Sequence, residues 1–289
     1  MSGPKKRRPG GPPSGRGRSG SGRAQPQARP ARAARDSRPA AKGLGGTQVE
    51  GRHAVRELLI AGRRKVRDVW VATEMDRSDL VDDIVELCAD LRVPLQRVPR
   101  RKLDQASATD ASQGVIAHAA PLPEIDLDDL VAAKGAPAFL VALDGVTDPG
   151  NLGAIVRTAE CAGVTGVVLP RHRAVHITPT VTKAAAGAVE HVPMAVVGGL
   201  PAALERLRKG GVWIVGLDAS GPETIHQLRL AGEPVCLVLG AEGQGLSRLV
   251  RQRCDAVVSI PLRGQLASLN VATAAALGIY EVVRRRELG

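Results

Sequence analysis

The chain has 289 residues, is 44% hydrophobic but only 1% aromatic, and carries a formal net charge of +11. That length holds two domains of ordinary size with a core in each, and the cores must be aliphatic. One Phe, one Tyr and two Trp all but exclude an aromatic base-stacking platform, and no apolar run approaches the roughly 18 residues needed to cross a bilayer.

The charge comes first along the chain. Residues 1–43 carry twelve Lys and Arg against one acid, Asp36, whereas the remainder balances 28 bases with 28 acids. No Val, Ile, Leu or aromatic residue precedes Leu44. Residues 1–46 are therefore expected to form a disordered basic arm, too poor in apolar surface to offset the entropy of ordering. Such an arm suits non-specific attraction to phosphate backbones; a plain solubilising tail is the alternative. No apolar segment follows the basic residues, so a secretory signal is not expected. Cys88, Cys161, Cys236 and Cys254 show no CxxC spacing and have apolar neighbours, which reads as buried free thiols in a reducing compartment. The place expected is the cytoplasm, with no membrane and no metal.

After the arm, Ala54, Val55, Leu58 and Leu59 share one helical face, stopped by Gly62. "VRDVWVA" reads as a strand. Leu80, Ile84, Leu87, Cys88 and Leu91 mark an amphipathic helix capped by Ser78 or Asp79, and "GVIAHAA" is a further strand. Residues 47–121 thus read as a small α/β domain. Residues 122–137, with their prolines and acids, read as a linker with one short helix.

Residues 138–289 alternate regularly. "FLVALDGV" is a strand, followed by a helix through Arg157 and then by strand "GVVLP". The helix "PTVTKAAAGAVEH", strand "VPMAVVG" and helix "PAALERLRKGG" come next. "VWIVGLD", "PVCLVLG" and "VVSIPL" complete the strands, and "NVATAAALGIYEVVRRR" is a long final helix. The strands are apolar runs without alternation, the pattern of a mostly parallel sheet covered on both faces.

Three loops follow the C-terminal ends of strands, the edge at which open α/β sheets bind ligands. In "DGVTDPGNLGAIVRTA", Gly150 and Gly153 flank Asn151, which reads most simply as a helix cap. Arg157 lies six residues on, among apolar and small neighbours that suggest its head reaches a pocket. "LVLGAEGQGL" has glycines at 240, 243 and 245 around a single charge, Glu242; its spacing is neither a Rossmann fingerprint nor a P-loop. In "IPLRGQLASLNVATAAA", Ser268 is placed to cap the last helix, with Asn270 in its first turn, where capping is the simplest use of its side chain too.

Together these three stretches resemble the motifs of the SpoU (TrmH-type) RNA ribose 2′-O-methyltransferases, over roughly residues 138–286. The segment 48–120, with "EGRHAV" and "SQGVIA", resembles the substrate-binding domain of the ribosomal RNA guanosine subgroup, although Ser112 stands where a His is expected before "QGV". The resemblance implies a trefoil-knotted catalytic domain, which periodicity does not show and which the general rule against knots opposes. It also implies S-adenosylmethionine as cofactor, a homodimer formed through the catalytic domain, and RNA as partner. It assigns cofactor contacts to Gly240, Ile260 and Leu269, with Leu239, Gly245 and Pro261 nearby. Asn151, Arg157, Glu242, Ser268 and Asn270 are assigned to the methyl-transfer site. Other readings are a transfer RNA or resistance-type ribosomal target, a non-catalytic ribosome-assembly factor, or an oxidoreductase; the last lacks its glycine fingerprint.

Overall fold

A computed structural model of the chain describes residues 43–288 except 77, 111, 133–135, 173–175 and 229–231. The arm expected over residues 1–46 lies outside the described residues as far as residue 42. Residues 43–46 belong instead to the folded body. Leu44 is buried, donates its amide to the Leu122 carbonyl at 3.2 Å and accepts the Ile177 amide at 3.1 Å.

A small lobe is built on four strands: β1 (Gln48–Glu50), β2 (Val66–Ala72), β3 (Leu95–Val98) and β4 (Val115–Ala119). Their order is β1-β4-β2-β3, with only β2 and β3 parallel. Helices α1 (Arg52–Ala61) and α2 (Asp79–Asp90) bury Leu58, Leu59 and Ile84 against one face, and α3 (Arg100–Ala106) sets Leu103 on the other. Gly62, at φ 58°, ends α1 as expected. Ser78 does precede α2, but its side chain makes no capping bond; its carbonyl accepts the Val81 and Asp82 amides. β1, β3 and α3 escape sequence reading because each is too short to show a period.

The larger lobe carries seven parallel strands: β5 (Phe139–Asp144), β6 (Gly166–Pro170), β7 (Met194–Val197), β8 (Trp213–Leu217), β9 (Glu223–Thr224), β10 (Val235–Gly240) and β11 (Ala256–Ser259). Their order is β7-β6-β5-β10-β8-β11-β9. One face is covered by α5 (Pro149–Cys161), α6 (Pro179–Ala184) and α9 (Val271–Leu288). The other is covered by α4 (Leu127–Val131), α7 (Leu200–Lys209) and α8 (Arg248–Arg251). Every residue of β10 is buried, which is why its sequence is apolar without alternation. Each Leu or Val so enclosed contributes roughly 1.5–3 kcal/mol.

The helix expected over "PTVTKAAAGAVEH" is broken. α6 stops at Ala184, Ala186 and Gly187 take φ 49° and 90°, and a 3-10 turn follows at Ala188–Glu190. Close packing explains the break: a Cβ on Gly187 would lie 2.5 Å from the Glu57 Cβ of α1. The turn also delivers Glu190 to Arg64. Arg64 Nε donates to Glu190 Oε2 at 2.9 Å, and Arg64 Nη1 donates to the carbonyls of Gly46 and Ala120 at 2.6 Å each. This buried clasp ties the two sheets into one body. Among the cysteines, Cys88 and Cys236 are buried as expected, but Cys254 is half-buried and Cys161, on the last turn of α5, is exposed.

Candidate functional site

Between β5 and β10 the strand order changes direction. The chain runs outward from β5 through β6 and β7, then returns to fill the other side through β8, β9, β10 and β11. At such a point the loops leaving neighbouring strands diverge and open a crevice at the C-terminal edge of the sheet.

The first loop leaves β5 at Asp144, turns at Gly145 (φ 83°) and enters α5 through a cap. The cap is Asp148, whose Oδ1 accepts the Asn151 amide at 2.7 Å, and Pro149 sits where no amide is needed. Asn151 is therefore not the cap, and its side chain is left for other partners.

The second loop leaves β10 at Gly240. Ala241 and Gly245 exchange backbone hydrogen bonds at 3.1 and 2.9 Å, closing a tight turn with Gly243 and Gly245 at positive φ. Gly240 admits no side chain: a Cβ there would stand 2.2 Å from the Gly245 carbonyl carbon.

The third loop spans residues 260–270 without regular structure. It ends where Asn270 Oδ1 accepts the amides of Ala272 and Thr273 at 2.8 and 3.3 Å. Asn270, rather than Ser268, is thus the cap of α9. Ser268 is exposed one turn earlier and lines the cavity described next.

Side chains link the three loops. Asn270 Nδ2 donates to Asn151 Oδ1 at 3.0 Å, and Asn151 Nδ2 donates to Glu242 Oε2 at 3.4 Å. One cavity of about 720 Å³ opens beside this chain, lined among others by Leu239, Gly240, Gly245, Ile260 and Leu269. Pro261 lies between two lining residues without lining it. A second hollow of about 450 Å³ adjoins, bounded by Asp144, Asp148 and Asn151, and Glu242 borders both. Arg157 stands apart: it is exposed, lines neither space, and makes no hydrogen bond or ion pair among the described residues. The expectation that its head reaches a pocket is not met by these side chains: Asn151 is instead bonded to Glu242 and to Asn270.

Sequence reasoning missed Asp218, which follows β8 and lines the larger cavity. It accepts the Leu246 amide at 3.0 Å, the Ser220 amide at 2.9 Å and the Ser220 hydroxyl at 2.6 Å, and faces Arg251 at 3.2 Å. Burial works to raise its pKa, but these hydrogen bonds and the Arg251 charge hold the carboxyl below the usual carboxylate range. The available signal was an acid at the end of the predicted strand "VWIVGLD". Also missed was Asp144, whose Oδ2 accepts the Ser247 amide at 2.7 Å.

The larger cavity has an aliphatic floor of Leu217, Leu239, Leu246, Ile260 and Leu269, with Glu242 at its border. That combination suits an amphipathic cation of nucleoside size, with backbone groups of a glycine-rich turn close enough to recognise it.

Comparison with known proteins agrees. Residues 138–280 match the SpoU rRNA methylase family, and residues 48–125 match the RNA 2′-O ribose methyltransferase substrate-binding family. The chain is 41% identical over 241 residues to a Bacillus subtilis protein named putative TrmH family tRNA/rRNA methyltransferase YacO, covering 82% of this chain and 95% of that one. It is 37% identical over 244 residues to the 23S rRNA (guanosine-2′-O-)-methyltransferase RlmB of Pseudomonas putida, covering 83% and 97%. Among solved structures, the SpoU methyltransferase AviRb of Streptomyces viridochromogenes, in complex with AdoMet, superposes with a TM-score of 0.72 at 28% identity. The match covers 84% of this chain and 91% of that one.

Proposed function

The chain belongs to the SpoU rRNA methylase family, and we propose that it methylates the 2′-hydroxyl of a guanosine ribose in 23S ribosomal RNA, with S-adenosylmethionine as methyl donor. The observation that carries this reading is the convergence of three strand-end loops on one cavity, joined by the Asn270–Asn151–Glu242 chain. The residues fit the donor. Gly240 and Gly245 leave a turn that any Cβ would fill. The aliphatic floor suits an adenine ring, and Glu242 suits a positive charge. When bound, the donor supplies an activated methyl group on a sulfonium.

The chain's own work is then to position and activate a weak nucleophile. Asn151 and Asn270 fix each other through one hydrogen bond, and Asn270 is itself locked by capping α9. They present a rigid amide edge to the ribose, with Ser268 two residues before Asn270 on the third loop. Glu242 borders both hollows and takes the hydroxyl proton or orients it. Arg157 does not serve as the base, since a guanidinium ionises above about pH 12 and offers no lone pair. Its exposed head, which lines neither hollow, binds the phosphate next to the target ribose and so holds the 2′-hydroxyl in line.

In the same reading, the third loop is threaded so that the catalytic domain, residues 138–289, forms a trefoil knot, and two copies of that domain pair. Leu262, Leu266, Leu277 and Tyr280, exposed on this loop and on α9, support the pairing. Residues 47–121 hold the RNA. No helix among the described residues is long and apolar enough to cross a membrane, and we place the enzyme in the cytoplasm with its ribosomal substrate.

The test is incubation of the protein with radiolabelled S-adenosylmethionine and separated 23S, 16S and transfer RNA, followed by mapping of the modified ribose. Label confined to a 2′-O-methylguanosine of 23S RNA is the expected result. Label in transfer RNA would move the target, and no label in any RNA would overturn the reading.

A further inference from the structure

Asp218 lines the larger cavity, yet its geometry is not that of a ligand-binding group. Oδ1 is already surrounded by the Ser220 amide, the Ser220 hydroxyl and Arg251 Nη1. Oδ2 accepts the Leu246 amide, and a Cβ on Gly245 would stand 2.5 Å from it. A carboxylate has about four acceptor sites; three donors crowd Oδ1 and one meets Oδ2, so most of that capacity is spent on the protein itself. The carboxyl is turned toward its own protein.

Its partners come from three elements. Ser220 lies in the turn after β8. Arg251 is the last residue of α8 and also donates to the Ser220 hydroxyl at 3.1 Å and to the Ser220 carbonyl at 3.3 Å. Leu246 closes the glycine turn that follows β10. The backbone exchange between Ala241 and Gly245 shapes the base of that turn, and its tip and far end are tethered by Asn151 at Glu242 and by Asp144 at the Ser247 amide, but its tilt toward the cavity depends on the strand-β8 side. There the Asp218 bond to Leu246 sets it, and Gly245, at φ 66°, is the residue whose missing side chain lets the carboxylate approach.

We propose that Asp218, held by Ser220 and Arg251, is a positioning residue that sets the glycine turn 240–246 in its cofactor-binding shape. The proposal rests on the reading that this cavity takes S-adenosylmethionine. It makes Asp218 a determinant of donor affinity that acts through the shape of the turn. Losing its acceptor leaves the Leu246 amide short of a partner and frees the turn, a penalty that falls first on donor binding and reaches the chemical step only through Glu242 in the same turn.

The experiment is calorimetric titration of S-adenosylmethionine into full-length Asp218→Ala, Asp218→Asn and Gly245→Ala, with turnover measured at saturating donor. Asp218→Ala should raise the donor dissociation constant about tenfold or more, a larger factor than the fall in kcat at saturating donor, with RNA affinity unchanged. Asp218→Asn keeps an acceptor for the Leu246 amide only by turning its NH2 group toward the Ser220 amide and Arg251, which also donate, so it should recover only a minor part of the loss. Gly245→Ala should weaken donor binding at least as much. In the double variant the two losses should fall short of their sum, because the added methyl no longer meets a carboxylate.

An Asp218→Ala protein that folds and binds the donor within twofold of wild type overturns the proposal, as does a loss confined to kcat. Should Asp218→Ala not fold, Asp218→Asn and Gly245→Ala decide by the same criterion: wild-type affinity in both overturns it. Failure of the underlying reading shows differently, as wild-type protein that takes up no donor at all.

Discussion

Two polar networks in this protein invite comparison. Arg64 and Glu190 join the lobes with side chains that are 2% and 1% exposed, and Arg64 also binds the carbonyls of Gly46 and Ala120. Asn270, Asn151 and Glu242 join three loops at the sheet edge with longer bonds and solvent-facing atoms. The first network has its charges paired and its donors placed, so nothing is left over for a ligand. The second keeps spare acceptors and donors beside a cavity. Groups that hold a fold are saturated, and groups that act on a substrate keep capacity in reserve.

The sharpest way to break the contrast is to open the clasp. Arg64→Ala strands a buried Glu190 carboxylate and should cost about 3–5 kcal/mol of unfolding free energy, read from urea denaturation. Replacing both partners with methionine should recover most of that loss, because no charge is then left buried. If Arg64→Ala unfolds at the wild-type denaturant midpoint, the clasp is not what secures the lobes.

Next in size is Arg157→Ala. Loss of the phosphate anchor that holds the target ribose in line should lower turnover by about 10²-fold, and donor affinity should be unchanged because Arg157 lines neither hollow. Wild-type methylation rates from this variant would remove Arg157 from the chemistry. Its position shows how far the sequence could be read. The three loops, their order and their strand-end placement were legible because apolar runs and glycine turns are local signals. The exposure of Arg157 was not, since neighbours such as Ile155 and Val156 are buried while Arg157 points outward in the same helical turn.

Other elements that escaped depend on partners distant in sequence. "KAAAGAVEH" is a sound helical sequence, and only the approach of Gly187 to Glu57 shows why it breaks. Asp218 is a single acid after a strand, without a spacing partner to mark it; its meaning lies 28 residues away at Leu246. Asn270 was placed in the first turn of α9, whereas Asp148 and Asn270 turn out to be the caps. Both loops hold several residues suited to capping, and tertiary bonds decide which one serves.

Asn270→Ala sharpens the comparison from the other side, because this residue belongs to both kinds of network. Loss of the cap should cost about 1 kcal/mol of stability, while the freed Asn151 amide should lower turnover more than that stability loss explains. Asn270→Asp keeps the cap oxygen but loses the donor to Asn151. It should therefore restore stability without restoring turnover, a split readable by pairing thermal melts with initial rates.

The smallest effect expected is one of pH, at a third network that lies between the two extremes. Glu281 on α9 accepts from Arg284 at 2.7 and 2.8 Å and from Arg285 at 3.0 Å, with His226 3.5 Å away. The Arg284 hydrogen bonds act first and, outweighing burial, bring the carboxyl down to about 2, with Arg285 and His226 adding to them. A carboxylate whose pKa is depressed on folding contributes stability above its ordinary value and loses it as pH falls through the folded one. The wild-type advantage over Glu281→Gln should therefore be level above about pH 5 and shrink toward pH 2. Arg284 and Arg285 are 49% and 32% exposed, so solvent screening limits that advantage to about 1 kcal/mol. Urea melts of both proteins at matched pH measure it. An advantage that stays constant down to pH 3 would mean that the helix is held by its apolar face, with Glu281 contributing nothing as an ion.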